Sequence, residues 1–483
     1  MTQSGERLML IGGKLVASAG GEWIDSINPA NEEVIGRAPA AAAADIDRAV
    51  DAAASAQSAW AALSIWERAG YLHKLAAAYE AHAKDILTLE ASDTGNTIGN
   101  LGGDIVIAAA QLRYFAGLAT EMKGETVPAS ASRNIHFTLR QPYGVVARLV
   151  PFNHPFMFAA ASIAAPLTAG NTVVVKTPET SPLSGGYLGQ LCRDVLPPGV
   201  VNIVSGYGMP AGDRLVRHPQ IRRIGFTGSV GTGLAIQRAA AEVAVKHVTL
   251  ELGGKNAMIV FPDADADAVV KGAVEGMNFA WAGQSCGSVS RLMVHEDIHD
   301  DIVERLAARI AALKLGDPLD PTSDMGPVNN RRQYDRVLSF FASARADGAR
   351  TVVGGNRPKG KLFERGFWVE PTVYDGVTMN MRVGCEEIFG PVISVIKWSK
   401  AKEAIGMANA VNVGLTGAVW TNDLAAAMNT ARELETGYVW INGTQRHYVG
   451  MPFGGWKDSG LGNEECLDEL LSYTQTKSVH VVL

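Results

Sequence analysis

The chain has 483 residues, of which 47% are hydrophobic and 19% charged. That length argues for several domains at about 100–200 residues each, and that composition excludes a mostly disordered chain. Lys plus Arg number 43 against 49 Asp plus Glu, a net charge of −6 that offers no bulk attraction to nucleic acid or to an anionic membrane surface.

The N-terminus carries Glu6 and Arg7 and only a short apolar run, Leu8 to Ile11, so no secretory signal is read there. Asp45 to Ala91 is Ala-rich, with Ile46, Val50, Trp60, Leu63, Leu72, Leu75 and Tyr79 at helical spacing. A second helical segment runs from about Asp104 to Met122, and Asn134 to Leu139 then alternates polar and apolar residues. From Tyr143 to Glu251 strand-length apolar runs occur at Val145–Val150, Thr172–Lys176, Val200–Val204, Arg222–Phe226 and His247–Leu250. Helical segments near 156–169, 182–195, 211–217 and 231–242 separate them. Strands alternating with helices predict right-handed βαβ units and a parallel sheet covered on both faces. A second series follows, with strands at Ala257–Phe261, Leu292–Val294, Phe367–Val373, Val392–Trp398, Gly417–Trp420 and Tyr438–Ile441. Its helices fall near 265–281, 298–313, 330–346, 401–410 and 422–435, and Lys477 to Leu483 reads as a last strand. The most apolar stretch, Phe156 to Ala169, is shorter than the roughly 20 residues a bilayer span needs, and Pro166 interrupts it. Four scattered cysteines without a CxxC pair suit free thiols in a reducing compartment, so a cytoplasmic enzyme is expected.

Several short motifs carry chemistry. Cys286 sits in Gly283-Gln-Ser-Cys-Gly287, where glycines leave a thiol accessible to a carbonyl, although most free cysteines are structural. Glu251 ends a strand and precedes two glycines, so its carboxylate would overhang the ligand-binding edge of a parallel sheet as a general base; a solvated glutamate is the ordinary alternative. Asn153 lies between Pro151 and Pro155 just past a strand, placed to donate to an oxyanion or simply to make a turn. Lys176 and Glu179 follow a buried strand and suit ribose hydroxyls, or form a surface pair. Phe226-Thr-Gly-Ser229 opens a helix whose free N–H groups suit a phosphate. No strict GxGxxG is present; Gly206-Tyr-Gly-Met-Pro-Ala-Gly212 has one residue too many. His295-Glu-Asp-Ile-His299 matches HExxH, but a strand end runs into His295 and Asp297 reads as an N-cap for the next helix, so the imidazoles are not expected to share a metal.

Seven signatures occur in order: Pro151-Phe-Asn-His-Pro155, Lys176-Thr-Pro-Glu179, Gly225-Phe-Thr-Gly-Ser229, Glu251-Leu-Gly-Gly-Lys-Asn256, Gly283-Gln-Ser-Cys286, Glu386-Glu-Ile-Phe-Gly-Pro391 and Pro452-Phe-Gly-Gly-Trp-Lys-Asp-Ser-Gly460. Together they resemble the aldehyde dehydrogenase superfamily along essentially the whole chain. The resemblance implies an α/β fold in three parts: a Rossmann-like, five-stranded NAD-binding domain (1–122 and 143–252), a catalytic α/β domain (253–453) and a small β oligomerisation arm (123–142 and 469–483). It implies Cys286 as the nucleophile, Asn153 and the Cys286 N–H as the oxyanion hole, Glu251 as the base that activates water, and Lys176 beside them. Cofactor contacts are expected from Pro151, Phe152, Lys176, Pro178, Glu179, Gly228, Ser229, Leu252, Glu387 and Phe389. Phe152 stands where the family usually has Trp, and His154 where Phe is common.

A carboxylate at Glu179 would repel a 2′-phosphate, so NAD is expected over NADP. Glu251 favours release of a free acid over transfer to coenzyme A. Phe156, Met157, Phe279, Trp281, Ser285, Arg446, His447, Tyr448 and Phe453 are the candidate pocket residues. Phe156, Phe279, Trp281 and Tyr448 would line an apolar tunnel for an aliphatic or aromatic aldehyde. Arg446 and His447 would instead suit a semialdehyde acid, an aromatic cage with a carboxylate would suit a betaine-type aldehyde, and a non-catalytic protein of the same fold is a further alternative. No metal is expected, and the arm strands predict a dimer or tetramer.

Overall fold

The computed structural model describes residues 5–128 and 133–483. Residues 1–4 of the N-terminal stretch and 129–132 of the expected arm lie outside the described residues.

The expected first α/β unit is built on an eight-stranded sheet. Its middle five strands are parallel, in the order Val201–Ser205, Thr172–Thr177, Val145–Leu149, Arg223–Thr227, His247–Glu251. Every residue of the inner four is buried. Val146, Val173 and Val175 face a core shared with helices Ile65–Ala81 and Ile98–Gly117, whereas Ala147, Val174 and Val204 face Ile46 and Val50 of helix Ala43–Ala62. Alternate side chains thus feed two cores, which is why these strands read as unbroken apolar runs. The chain enters at the central strand Val145–Leu149, builds outward through two strands, and returns to the other side of that strand with Arg223–Thr227. The reversal makes a crevice at the strands' C-terminal ends, where open α/β sheets bind ligands.

A seven-stranded sheet forms the second unit, in the order Arg350–Val353, Thr372–Asp375, Val392–Trp398, Arg291–His295, Ala257–Val260, Thr416–Trp420, Tyr438–Ile441. Only the Arg350–Val353 edge is antiparallel. The chain passes from Glu251, the last residue of a first-sheet strand, to Ala257, the first of a second-sheet strand. Five residues therefore bring the C-terminal edge of one sheet against the N-terminal edge of the other.

Strand Thr474–Val482 pairs antiparallel with Asn134–Pro142, which also pairs with Thr126–Val127. This three-stranded sheet leaves Ile135 (44%), Leu139 (43%) and Val482 (71%) exposed.

Several elements differ from the sequence expectation. The segment near 156–169 is two helices, Pro155–Ala161 and Ala164–Thr168. Pro166 lacks an N–H for the carbonyl of Ser162, and the helix breaks one turn before it. The strand expected at Phe367–Val373 begins only at Thr372, after Pro371. Phe367, Trp368 and Val369 are buried without being strand, and the Trp368 indole donates to the Ala30 carbonyl (2.9 Å). The helix after His295 is His299–Ala311, with Ile298 rather than Asp297 at its N-cap and no side-chain cap. The short strands Met9–Ile11, Lys14–Val16, Trp23–Ile27 and Val34–Pro39 were not anticipated; the first two extend the first sheet.

Candidate active site

Residues from both sheets converge at the crevice. Asn153 follows the central strand Val145–Leu149 and is 4% exposed. Its Nδ2 donates to the Gln284 carbonyl (2.9 Å), two residues before Cys286, and its own carbonyl accepts from Asn96 Nδ2 (2.8 Å). One amide hydrogen of Nδ2 is left over beside the cysteine loop.

The Cys286 loop is shaped by left-handed backbone at Asn278 (φ 57°), Ala282 (φ 48°) and Gly283 (φ 69°). The two non-glycine residues are strained there. Hydrogen bonds from Ala282 N–H to the Phe279 carbonyl (2.8 Å) and from Gly283 N–H to the Asn278 carbonyl (3.0 Å) hold the turn. A Cβ on Gly283 would collide with Gly390 and come within 2.8 Å of Met277 Cε, so glycine is needed on space as well as on φ. Asn256 Nδ2 donates to the carbonyls of Cys286 (2.7 Å) and Ser288 (2.9 Å), and its Oδ1 accepts from Thr416 N–H (3.1 Å). Cys286 is half-buried. Burial pushes its thiol up to about 12, the charges of Glu251 and Glu387 push the same way, and the N–H groups of Gly287 and Cys286 oppose them.

Glu251 is 5% exposed, and neither of its carboxyl oxygens has a hydrogen-bond partner. Its carbonyl accepts from Gly228 N–H (2.9 Å), tying it to the turn before Ser229. Burial holds the carboxyl well above the usual range, and Glu464, Glu465 and Glu469 add to this while Arg148 opposes it. Arg148 itself donates to Glu464 Oε1 and to the Tyr473 hydroxyl, both at 2.8 Å. Ser459, fully buried, fastens the crossing: its carbonyl accepts from Leu252 N–H (2.8 Å) and its Oγ bonds Gly253 and Gly414.

The expected cofactor residues form a second group. A cleft of about 480 Å³ has Ser229, Val230 and Gly231 on one wall and Arg336, Cys385 and Glu387 on the other. Ser229 is the N-cap of helix Val230–Ala241 and its Oγ accepts from Thr232 N–H, so the other first-turn N–H groups are open to an anion. Glu387 Oε1 accepts from Gly254 N–H (3.0 Å), and a Cβ on Gly253 would strike the same carboxylate. Burial raises the Glu387 carboxyl. Phe389, at φ 58°, meets Phe152 edge-to-face (5.8 Å). Leu252 packs beneath Gly233. Lys176 Nζ contacts Glu179 Oε2 (3.1 Å), and burial lowers the Lys176 ammonium. Pro178 is buried; Pro151 is half-buried. Cleft volume, helix N-terminus and the strand-end Lys176–Glu179 pair all fit a dinucleotide.

The expected pocket residues divide. Phe156 does not stand on an open wall: it is fully buried, edge-to-face with Tyr79 (5.3 Å) in the first-sheet core. Phe279 is also buried, while Met157, Trp281 and Ser285 are half-buried. His447 stacks on Phe453 (4.3 Å) and on Tyr438 (5.8 Å), and its Nδ1 faces Glu465 Oε1 (3.1 Å). Tyr448 is 58% exposed, and exposed Arg446 forms no ion pair among the described residues. Loop 443–451 reaches the turn before Cys286 through Gln445, which donates to Asn278 Oδ1. The HExxH histidines take different partners, His295 lying against Trp398 and His299 Nε2 against Asp375 (2.8 Å).

Sequence reasoning gave no role to Asn256, Gln284, Ser459 or the pair His154–Asp104, since each acts through a partner distant in the chain.

The family model described as "Aldehyde dehydrogenase family" matches residues 15–479. This chain belongs to the aldehyde dehydrogenase family. Aldehyde dehydrogenase tropH of Talaromyces stipitatus is 44% identical over 95% of this chain and 90% of its own length. The structure of PnpE from Pseudomonas sp. WBC-3 is 40% identical, with a TM-score of 0.96 over 99% of this chain and 98% of that one, and PnpE is also solved with nicotinamide adenine dinucleotide. The NAD+ complex of aldehyde dehydrogenase from Bacillus cereus is 37% identical, with a TM-score of 0.96 over 99% of this chain and 97% of that one. Membership in the aldehyde dehydrogenase family makes the chain an oxidoreductase of aldehydes, and these complexes support a nicotinamide cofactor. No helix among the described residues is long and apolar enough to cross a membrane.

Proposed function

We propose that this chain oxidises an aldehyde to the free carboxylic acid, using Cys286 as nucleophile and NAD as cofactor. The observation that carries this reading is the Asn153–Gln284 hydrogen bond, which ties a side-chain amide to the loop bearing the thiol.

Oxidised nicotinamide, when bound, supplies the hydride acceptor. Lys176, Pro178 and Glu179 would hold its adenosine half. Gly228 and Ser229 would hold the pyrophosphate at a helix N-terminus, and Pro151, Phe152, Leu252, Glu387 and Phe389 the nicotinamide half. The residues of the chain do the rest. Cys286, once deprotonated, adds to the carbonyl carbon, and the oxygen gains charge. The free hydrogen of Asn153 Nδ2 and the Cys286 N–H meet that charge. Oxidation leaves a thioester on Cys286. Glu251, with both oxygens uncommitted, takes a proton from water, which cleaves the thioester and releases the acid and the thiol. Phe453, His447, Tyr448, Trp281, Ser285 and Met157 would surround the remainder of the substrate, an apolar or aromatic group.

Segments 123–142 and 469–483 act as the arm between subunits of a cytoplasmic dimer or tetramer. The exposed Ile135, Leu139 and Val482 support this, since burying each such side chain gains about 1.5–3 kcal/mol. The domains are 1–122 with 143–252, and 253–453.

The test is NADH formation across a panel of aldehydes, with and without coenzyme A, by wild type and Cys286→Ala. Acid release without coenzyme A, abolished by the substitution, is the expected result. Turnover that survives Cys286→Ala, or that requires coenzyme A, overturns the reading.

A further inference from the structure

Asn153 has a neighbour on each side, and the two point to different places. Phe152 meets Phe389 in the proposed cofactor cleft. His154 turns the other way, onto Trp281 (centroids 5.0 Å apart, planes 33° apart) and Phe158 (5.9 Å, edge-on). Its ring thus lies on the side of the oxyanion donor away from the cofactor, against the turn that leads to Cys286.

His154 is held by a carboxylate. Its Nδ1 lies 2.9 Å from Asp104 Oδ2 and 3.2 Å from Oδ1, with the His154 side chain 13% and the Asp104 side chain 6% exposed. Asp104 belongs to helix Ile98–Gly117 and interacts electrostatically with buried Glu90, whose Oε2 accepts from Phe156 N–H (3.3 Å). A carboxylate on Nδ1 fixes the proton there and leaves a lone pair on Nε2. That nitrogen makes no hydrogen bond among the described residues. A hydroxyl group matches that acceptor, since it has a hydrogen bond to donate. A carboxylate matches less well, because Asp104 already places an acidic group against this imidazole.

We propose that His154, oriented by Asp104 and stacked on Trp281, selects aldehydes whose aromatic ring carries a hydroxyl group, accepting that hydroxyl's hydrogen bond at Nε2. This rests on the reading that the aldehyde is oxidised at Cys286. His154 is then a specificity residue and Asp104 its positioning residue.

The experiment compares kcat/KM for benzaldehyde, meta- and para-hydroxybenzaldehyde and para-carboxybenzaldehyde in wild type, His154→Phe, His154→Gln and Asp104→Asn. In wild type at least one hydroxylated substrate is favoured over benzaldehyde by about tenfold or more, the worth of one well-made hydrogen bond. His154→Phe brings that ratio close to one, and Asp104→Asn lowers it by freeing the imidazole tautomer. His154→Gln keeps a hydrogen-bonding group and retains part of the ratio, which a purely structural role for His154 would not produce. NADH binding, followed by fluorescence, reports folding of each variant; if His154→Phe fails to bind NADH, His154→Gln and Asp104→Asn carry the comparison. A wild-type ratio near one, a preference for the carboxylated substrate, or a ratio unmoved by every folded variant overturns the proposal. NADH from benzaldehyde with no such preference overturns this proposal alone, whereas no NADH from any aldehyde overturns the oxidation reading beneath it.

Discussion

Glu251 stands close enough to Cys286 for its charge to push the thiol up, and burial lifts both groups. Both groups therefore hold their protons to higher pH than they would in water. A base works only after losing its proton, so a carboxyl held above its usual range delays activity to higher pH. Turnover is expected to climb with pH through the neutral and alkaline range. Glu251→Gln should lower steady-state turnover about 10²–10⁴-fold, the usual worth of a general base, while keeping the first NADH burst. Rapid-mixing kinetics across pH checks this; loss of the burst along with turnover contradicts the assignment.

Asn153→Ala removes a side-chain donor and leaves the Cys286 N–H as the remaining one. A fall of about 10²–10³-fold in kcat is expected, with KM changed far less. A change confined to KM would mean that Asn153 only shapes the loop through Gln284.

Gly253→Ala places a methyl group against the Glu387 carboxylate, which cannot retreat without losing its bond to Gly254 N–H. A rise of about tenfold or more in KM for NAD is expected, larger than the change for the aldehyde. Steady-state kinetics with each substrate varied separately distinguishes the two.

Glu179 reaches solvent at the strand end beside Lys176, with its side chain 41% exposed. Its charge opposes a 2′-phosphate, so kcat/KM is expected to be higher with NAD than with NADP. Glu179→Ala should narrow the gap by about tenfold, through better use of NADP. Parallel assays with the two cofactors decide it; a wild-type preference for NADP sinks the idea.

Glu90 is a stability sensor. Burial pushes its carboxyl up to about 8, with help from Asp104 and Asp93, and burial pushes Asp93 up to about 7. Below the ordinary carboxyl range both folded and unfolded chains hold these protons. Above it the unfolded chain releases them first, so stability falls as pH rises toward 8. Glu90→Gln removes one of these costs, and the variant should outlast wild type on heating at about pH 9. The advantage, on the order of 1 kcal/mol or more, should shrink toward about pH 5. Inactivation half-lives at fixed temperature measure it.

What the sequence revealed followed physical locality. Strands Val145–Leu149 and Thr172–Thr177 were legible because burial on both faces makes them continuous apolar runs. Asn153, Glu251 and Cys286 were legible because prolines or glycines mark each one in place. Phe156 misled, since an aromatic residue beside a motif looks like pocket wall until its ring is seen against Tyr79 and its N–H on the buried Glu90 carboxylate. His154 stood out as a departure within its motif, but its pairing with Asp104 was invisible because the two are 50 residues apart and Asp104 has no local signal. Met9–Ile11 was missed because three residues carry no period.

The five residues between Glu251 and Ala257 have a consequence for how such a chain can diversify. They lie outside both strands yet are pinned one by one, Leu252 N–H on the Ser459 carbonyl (2.8 Å), Gly254 N–H on Glu387 (3.0 Å) and Asn256 Nδ2 on the Cys286 carbonyl (2.7 Å), so an inserted residue would break the register between Glu251 and Cys286. The reaction's geometry is thus spelled by a count, and a count tolerates no drift. Loop 443–451 and the turn at Asn278–Trp281 are under no such arithmetic. They can be rewritten residue by residue while the distance between Glu251 and Cys286 stays the same.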